Sequence, residues 1–166
     1  MGTRIELRAS VSGSFSKAKP EIDLAIEELR DHGVNVLGPS TGSVIIRKKG
    51  GLYLPYHAFA PLPSETGMTS EEVEQQFIEK CIKQSDFILV VNSNGYVGLM
   101  VTYEMSVADS IGISIYSRQP INAESGSVLS GLATSVRTIP IRDIVSIEQE
   151  AKALRSLGQV HPLKPF

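Results

Sequence analysis

The sequence predicts a three-layer α/β fold, in which a five-stranded parallel sheet lies between two layers of helices. Short apolar runs alternate along the chain with segments whose apolar residues recur at helical spacing. The most apolar run, over 87–91, is typical of a central strand that is buried on both faces. The 166 residues, 42% of them hydrophobic and 20% charged, fit about one globular domain. We therefore expect a single domain over 1–166.

The first part of the chain predicts a strand, a helix and a second strand. Alternating residues over 5–11 indicate the first strand, and the apolar run over 34–37 indicates the second. A helix is expected over 20–32, with Pro20 in its first turn and Gly33 at its carboxyl end. Its buried face would consist of Ile22, Ala25, Ile26 and Leu29.

The segment over 40–69 lacks the pattern of a long element. Two short apolar runs flank Lys48, Lys49, Gly50 and Gly51, which predicts a small hairpin insertion at about 43–56. Insertions of this length are often binding loops, and a plain connector is the alternative.

The second half of the chain continues the alternation of helices and strands. Ser70 is a suitable N-cap for a helix whose apolar stripe includes Cys81. The remaining elements are expected as a strand over 87–91, a helix that starts after Gly98 and runs to about 110, a strand over 113–116, a helix over 124–132, a strand over 136–141 and a helix over 144–157. Right-handed crossovers between parallel strands would place helices on both faces, as in a flavodoxin-like (Rossmann-like) three-layer sandwich.

Composition excludes several classes of function. The net charge is −2, and no basic block is longer than Arg47-Lys48-Lys49, so we expect no nucleic-acid polymer as partner. A single cysteine cannot form an internal disulfide, and no metal-ligand spacing occurs, so we expect no metal. No apolar run is long enough to span a membrane and no signal segment is evident, which favours a cytoplasmic protein without membrane contact.

The loop after the first strand is a candidate ligand site, because ligands of such sheets bind at the carboxyl ends of the strands. This loop contains Ser12, Gly13, Ser14 and Phe15, with Lys17 and Lys19 close behind. Small residues and helix amides can hold a phosphate or a sugar, although an ordinary turn has the same composition. The loop matches no ATP, dinucleotide or flavin pattern, so we expect no cofactor.

Glu104 is the candidate catalytic residue. On a helical wheel it falls in the middle of an apolar arc formed by Met100, Val101, Met105, Val107, Ala108 and Ile111. Burial of an unpaired carboxylate is costly, so such a residue is usually paired, hydrogen-bonded or functional. The alternative is a structural glutamate that a tyrosine or backbone amides satisfy.

Glu74 also falls among apolar residues on its own helix. Its place in the first turn is explained by stabilisation at the positive end of the helix dipole. A second interpretation is that Glu74 and Glu104 converge on one cleft, where two carboxyl groups would suit glycosidic-bond chemistry.

The central segment of the chain resembles a known family. The strand over 85–92, the turn Asn94-Gly95-Tyr96-Val97-Gly98 and the helix segment over 102–108 resemble the core signature of the nucleoside 2-deoxyribosyltransferase superfamily. The turn is similar to that of its uncharacterised "GYxG" subgroup. The resemblance extends over about 5–120 and includes the first strand, loop, helix and second strand.

The resemblance implies cleavage or transfer of the N-glycosidic bond of a nucleoside or a nucleoside 5'-monophosphate. It implies that Glu104 is the nucleophile and that the first loop holds the sugar and any phosphate together with Gly95, Tyr96 and Gly98. It further implies a place for Asn92 near the ribose or base, and a homo-oligomer. Family members usually carry an acidic residue where this chain has Ile78, so a non-catalytic nucleotide or nucleotide-sugar binding module is the alternative.

Overall fold

The computed structural model describes residues 5–39, 46–47, 53–54, 69–124 and 126–160. In chain order the elements are β1 (Arg8–Gly13), α1 (Phe15–Asp31), β2 (Asn35–Gly38), β3 (Ile46–Arg47), β4 (Tyr53–Leu54), α2 (Ser70–Lys80), β5 (Phe87–Val91), α3 (Leu99–Ser110), β6 (Ser114–Ser117), α4 (Val128–Ala133), β7 (Val136–Arg137) and α5 (Ile141–Val160). Short 3₁₀ turns cover Ile82–Gln84 and Ser93–Gly95. None of the described helices is both long and apolar enough to cross a membrane.

The main sheet is parallel throughout and has the strand order β2-β1-β5-β6-β7. Strand β5 lies at its centre, and all five of its residues are buried. One core layer joins the sheet to α1 and α5, and a second joins the opposite face to α2 and α3. The predicted flavodoxin-like three-layer sandwich with a five-stranded parallel sheet is therefore confirmed.

The predicted hairpin insertion is also present. Strands β3 and β4 form an antiparallel pair in whose backbone register Ile46 pairs with Leu54 and Arg47 with Tyr53. The remaining residues of the 40–69 insertion, apart from Thr69, lie outside the described part of the chain.

Helix α1 begins at Phe15, five residues before the predicted start. Its backbone departs from helical geometry at Ala18, where φ is −137°. Pro20 follows two residues later and explains an interruption here, because it has no amide hydrogen to donate to the preceding helical turn and its ring crowds that turn. The predicted helix is thus preceded by a short helical turn that directly follows β1.

Helix α2 is capped one residue earlier than predicted. Thr69, not Ser70, is the N-cap, and it forms a reciprocal capping box with Glu72. The Glu72 amide donates to Thr69 Oγ1 at 3.1 Å, and the Thr69 amide donates to Glu72 Oε1 at 3.0 Å. This motif satisfies two amides that the first turn of a helix leaves without partners.

The last strand is shorter, and the last helix longer, than predicted. Strand β7 ends at Arg137, while α5 begins at Ile141, where Pro140 accepts the first helical hydrogen bonds from Asp143 and Ile144. A proline cannot donate to a sheet ladder, but it suits the start of a helix. Apolar character alone could not distinguish these two roles for Ile139 and Ile141.

Candidate functional site

A cavity of about 320 Å³ opens at the carboxyl ends of β1 and β5. These strands meet where the strand order changes direction, the place at which open parallel sheets form their binding crevices. The lining residues include the polar side chains of Ser12, Ser14, Glu74, Tyr96 and Glu104, and the apolar side chains of Phe77, Leu99, Met100 and Val101. Six of the predicted site residues, Ser12, Gly13, Ser14, Tyr96, Gly98 and Glu104, line this single cavity.

Glu104 reaches the cavity from the inner face of α3. The residue is only 5% exposed, whereas the adjacent Tyr103 is half exposed. Helix α3 starts after Gly98, whose carbonyl oxygen accepts hydrogen bonds from both the amide and the hydroxyl group of Thr102. This start places Glu104 in the second turn, on the side that packs against the sheet, as the helical wheel predicts.

Glu74 brings a second carboxyl group into the same cavity. It extends from α2, and its side chain forms a hydrogen bond with Glu104. Its Oε1 atom is buried and has no hydrogen-bond partner among the described residues. The helix-dipole explanation of Glu74 is therefore incomplete. The wheel of α2 placed Glu74 on the inward face, but only the packing of α2 beside α3 on the same face of the sheet brings the two carboxyl groups together.

The surroundings of Glu104 raise its pKa well above the ordinary glutamate value of 4.5. The largest cause is burial, which penalises the charged carboxylate, followed by the hydrogen bond with Glu74 and the charge of Glu74. The nearby Ser12 hydroxyl group acts in the opposite direction and lowers the pKa of Glu104. The environment thus favours retention of a proton within the carboxyl pair.

The first loop is more ordered than the sequence suggests. Ser12 and Gly13 are the last residues of β1, Ser14 precedes α1, and Phe15 is the first residue of α1. The Phe15 side chain lies outside the described part of the chain. A Cβ atom on Gly13 would lie 2.9 Å from Ile22 Cδ1, so glycine permits the close approach of α1 to the end of the strand.

Gly95 shapes the turn that carries Tyr96. Its φ is +79°, and an added Cβ would lie 2.9 Å from the carbonyl oxygen of Pro120. Its carbonyl oxygen accepts a hydrogen bond from the Asn122 amide. Gly95 does not line the cavity and acts on the site through the backbone of the turn.

Tyr96 separates the cavity from a second one of about 280 Å³. The Lys17 ammonium group lies 3.9 Å from the centre of the Tyr96 ring, a cation–π contact. Lys17 and Ser93 line the second cavity, which shares Ser14, Tyr96, Gly98 and Val101 with the first. Lys19 instead forms an ion pair with Asp23 on its own helix.

Asn92 lies behind the turn and not in the cavity that contains Glu104. Its Nδ2 donates to the Gln119 carbonyl oxygen at 2.7 Å, and its Oδ1 accepts from the Gln119 amide at 3.0 Å. With 1% exposure, its side chain fixes the loop after β6.

Neither Ile78, at the position where family members usually carry an acidic residue, nor the adjacent Glu79 lines the cavity that contains Glu104. Ile78 is buried in the core between α2 and the sheet, and Glu79 is exposed and pairs with Lys83 at 2.6 Å. Within the described ranges, no group of three acidic, histidine or cysteine side chains could hold a metal ion.

Comparison with known proteins supports the fold alone. No family model matches the sequence, and no curated protein matches it. Among solved structures, a conserved protein from Enterococcus faecalis V583 is similar, with a TM-score of 0.55 over 89% of this chain and 99% of that chain, at 12% sequence identity.

Proposed function

We propose that this protein cleaves or transfers the N-glycosidic bond of a nucleoside, deoxynucleoside or nucleoside 5'-monophosphate. The observation that carries the proposal is the contact between the buried Glu104 and the partly buried Glu74, which line the same cavity. Cleavage of a glycosidic bond needs a nucleophile at the anomeric carbon and an acid at the leaving group. Two carboxyl groups that hold one proton between them supply both.

In the proposed mechanism, the Glu104 carboxylate attacks the anomeric carbon and forms a glycosyl ester. Glu74 donates its proton to the departing base as the C–N bond breaks. Attack by a second base on the ester gives transfer, whereas attack by water gives hydrolysis. The apolar side chains of Phe77, Met100 and Val101 line the same cavity, and apolar surface suits the planar face of a base.

We propose a preference for phosphorylated substrates, which rests on Lys17. Its ammonium group lies beside the start of α1, at the second cavity, where a cation and helix amides favour an anion. Lys19 is engaged with Asp23 and contributes less. The test is thermal unfolding with a nucleoside and with its 5'-monophosphate. The monophosphate should raise the Tm more, and Lys17→Met should remove the difference. Equal shifts in the wild type would contradict the preference.

The test of the activity is base release from a panel of nucleosides and their 5'-monophosphates, measured by chromatography. Glu104→Gln keeps the size of the side chain and removes the nucleophile, so release should fall to background. Glu79→Gln is the matched control, because Glu79 lies on the exposed side of α2. Unchanged release by the Glu104 variant would reject the proposal. Ligands that raise the Tm without any release of base would support the non-catalytic binding module.

We propose that the protein forms a homo-oligomer in the cytoplasm. Leu99, at 92% exposure, and the half-exposed Met100 and Tyr103 give the first turns of α3 an apolar outer surface beside the cavity. Light scattering would detect association. A monomer in both wild type and Leu99→Lys would contradict it, whereas an oligomer that Leu99→Lys dissociates would support α3 as the interface.

A further inference from the structure

We infer that Ser12 is a positioning residue whose hydroxyl group donates a hydrogen bond to the Glu104 carboxylate and thereby favours the ionised form of Glu104 that the proposed nucleophile needs. The catalytic consequence of this inference rests on the proposed function. The inference is carried by the position of Ser12 on β1 and by the partners of its neighbours.

Ser12 shares one face of β1 with Ser10, because side chains two residues apart in a strand point to the same side. Their parallel partners on β5 are Val90 and Ile88, which belong to the core beneath α2 and α3. Both serines are buried, with Ser10 at 0% and Ser12 at 1% exposure. They differ in what their hydroxyl groups contact.

The hydroxyl group of Ser10 is fully accounted for. Ser85 Oγ donates its proton to the Cys81 carbonyl oxygen at 2.7 Å. Ser10 Oγ lies 2.7 Å from Ser85 Oγ and must therefore be the donor in that contact. Ser10 completes a chain of hydrogen bonds that ends on the backbone.

Ser12 has no such chain. Its Oγ atom is buried and lacks a hydrogen-bond partner of good geometry among the described residues. It lines the cavity together with the carboxyl groups of Glu104 and Glu74. A buried hydroxyl group that stays unpaired destabilises a protein, and the Glu104 carboxylate is an acceptor within its reach. Since a carboxylate can only accept, Ser12 must donate.

The two neighbours of Glu104 act on it in opposite directions. The hydrogen bond from Ser12 lowers the pKa of Glu104, while Glu74 raises it. A donor stabilises the carboxylate more than the neutral acid. Ser12 therefore favours the ionised form of Glu104, although burial still raises the pKa of Glu104 overall.

Few other titratable groups face the pair within the described part of the chain. Helix α2 supplies Glu74, the second member of the pair. Just beyond the end of α2 lies the thiol group of Cys81, whose pKa the charge of Glu104 raises. From the turn before α3 comes Tyr96, whose ring is covered by Lys17. Strand β5 carries only apolar residues. Among the causes that act on the pKa of Glu104 within the described residues, the Ser12 hydroxyl group is the one that favours the ionised form.

The test compares Ser12→Ala with Ser12→Thr, which retains the hydroxyl group, and with Ser10→Ala as the matched control on the same face. Carbon-13 NMR of the glutamate carboxyl groups follows the titration of Glu104 in each folded protein. The Glu104 signal is assigned by its loss in Glu104→Gln. Ser12→Cys replaces the alanine variant if that variant does not fold, because a thiol has a similar shape and is a weak donor.

We expect the Glu104 signal to keep its protonated shift to higher pH in Ser12→Ala than in wild type. Ser12→Thr should restore the wild-type titration, and Ser10→Ala should leave it unchanged. In base release, the acidic limb of kcat/KM should move to higher pH in Ser12→Ala, so that at the midpoint of the wild-type limb kcat/KM falls about three- to tenfold. An identical Glu104 titration in wild type and Ser12→Ala would overturn the inference.

The two readouts separate this inference from the proposed function. If no substrate releases base, the proposed function fails, but the NMR titration still decides the role of Ser12. If base is released and Ser12→Ala alters neither the titration nor the pH profile, the function stands and the inference about Ser12 is overturned.

Discussion

The chemistry of the site depends on two residues that share one environment. Glu104 and Glu74 extend from different helices, and burial together with their mutual contact raises the pKa of Glu104. Under the proposed mechanism the two side chains have different roles, so their replacements should have different consequences. A substrate whose leaving group departs without protonation can distinguish the role of Glu74 from that of Glu104.

We predict that Glu74→Gln lowers base release from natural nucleosides by about 10²- to 10⁴-fold, the usual contribution of a general acid. A nitrophenyl glycoside of the same sugar needs no proton on departure, so its cleavage should be nearly unaffected. Glu104→Gln should lose activity on both substrates, because the nucleophile is required in each case. Steady-state kinetics with the two substrates measures the contrast, and equal losses for both in Glu74→Gln would contradict the acid role.

Cys81 is predicted to be chemically inert in the folded protein. Burial, followed by the negative charge of Glu104, raises the pKa of its thiol to about 12, and thiols react as thiolates. Iodoacetamide at about pH 8 should therefore leave the native protein unmodified and label it once after denaturation. Mass spectrometry detects the added group. Rapid labelling of the native protein would contradict both the burial and the pKa direction.

At the level of elements, the turn between β5 and α3 determines where Tyr96 and Gly98 lie. Gly95 and Gly112 both have a φ of +79°. A Cβ atom added to Gly95 would clash with the backbone of Pro120, whereas a Cβ atom added to Gly112 would meet no atom within 4 Å. This pair allows a matched comparison of strain with and without a steric clash.

We predict that Gly112→Ala costs about 1 kcal/mol of unfolding free energy, from the left-handed backbone alone. Gly95→Ala should cost about 2–4 kcal/mol, because the methyl group also meets the Pro120 carbonyl oxygen. Chemical denaturation measures both. Ligand stabilisation should weaken in the Gly95 variant only, since only this turn carries a cavity wall. Equal costs at the two positions would show that the clash with Pro120 is relieved.

Most of the order of helices and strands could be predicted from the sequence, because the apolar patterns of strands and helices involve residues that are close together in the chain. The sequence could place Glu104 on an inward helix face for the same reason. It offered the convergence of Glu104 with Glu74 only as a second interpretation, because this contact depends on α2 and α3 packing side by side on one face of the sheet. The resemblance implied a place for Asn92 near the ribose or base, and the sequence could not show that its side chain also binds the backbone of Gln119, because Gln119 lies far along the chain.

At the level of the whole molecule, the raised pKa of Glu104 links stability to pH. Above the ordinary glutamate value of 4.5, the unfolded chain loses the Glu104 proton while the folded protein retains it. The unfolded state then binds fewer protons than the native state. The free energy of unfolding therefore falls as pH rises from this value towards the raised pKa of the folded protein.

We predict that the Tm of wild type decreases, relative to that of Glu104→Gln, as pH rises from about 4 to 8. Glutamine carries no charge at any of these pH values, so the variant lacks this contribution. Calorimetry of both proteins across the range gives the difference directly, and Glu79→Gln serves as the control with an exposed carboxyl group. A constant difference between wild type and Glu104→Gln would contradict the raised pKa.

The parallel pairing of β1 with β5 also determines when the cavity can form. Ser12 lies beside Val90, so the wall that contains Ser12 is incomplete until a strand far along the chain has joined the sheet. Long-range pairings of this kind form late and slowly, because closing a long loop costs entropy before the contacts repay it. During synthesis on a ribosome, the first helical unit would emerge well before Glu104 exists to meet it. Ligand binding is therefore a late event in folding, and its appearance in a refolding experiment would mark completion of the sheet rather than collapse of the chain.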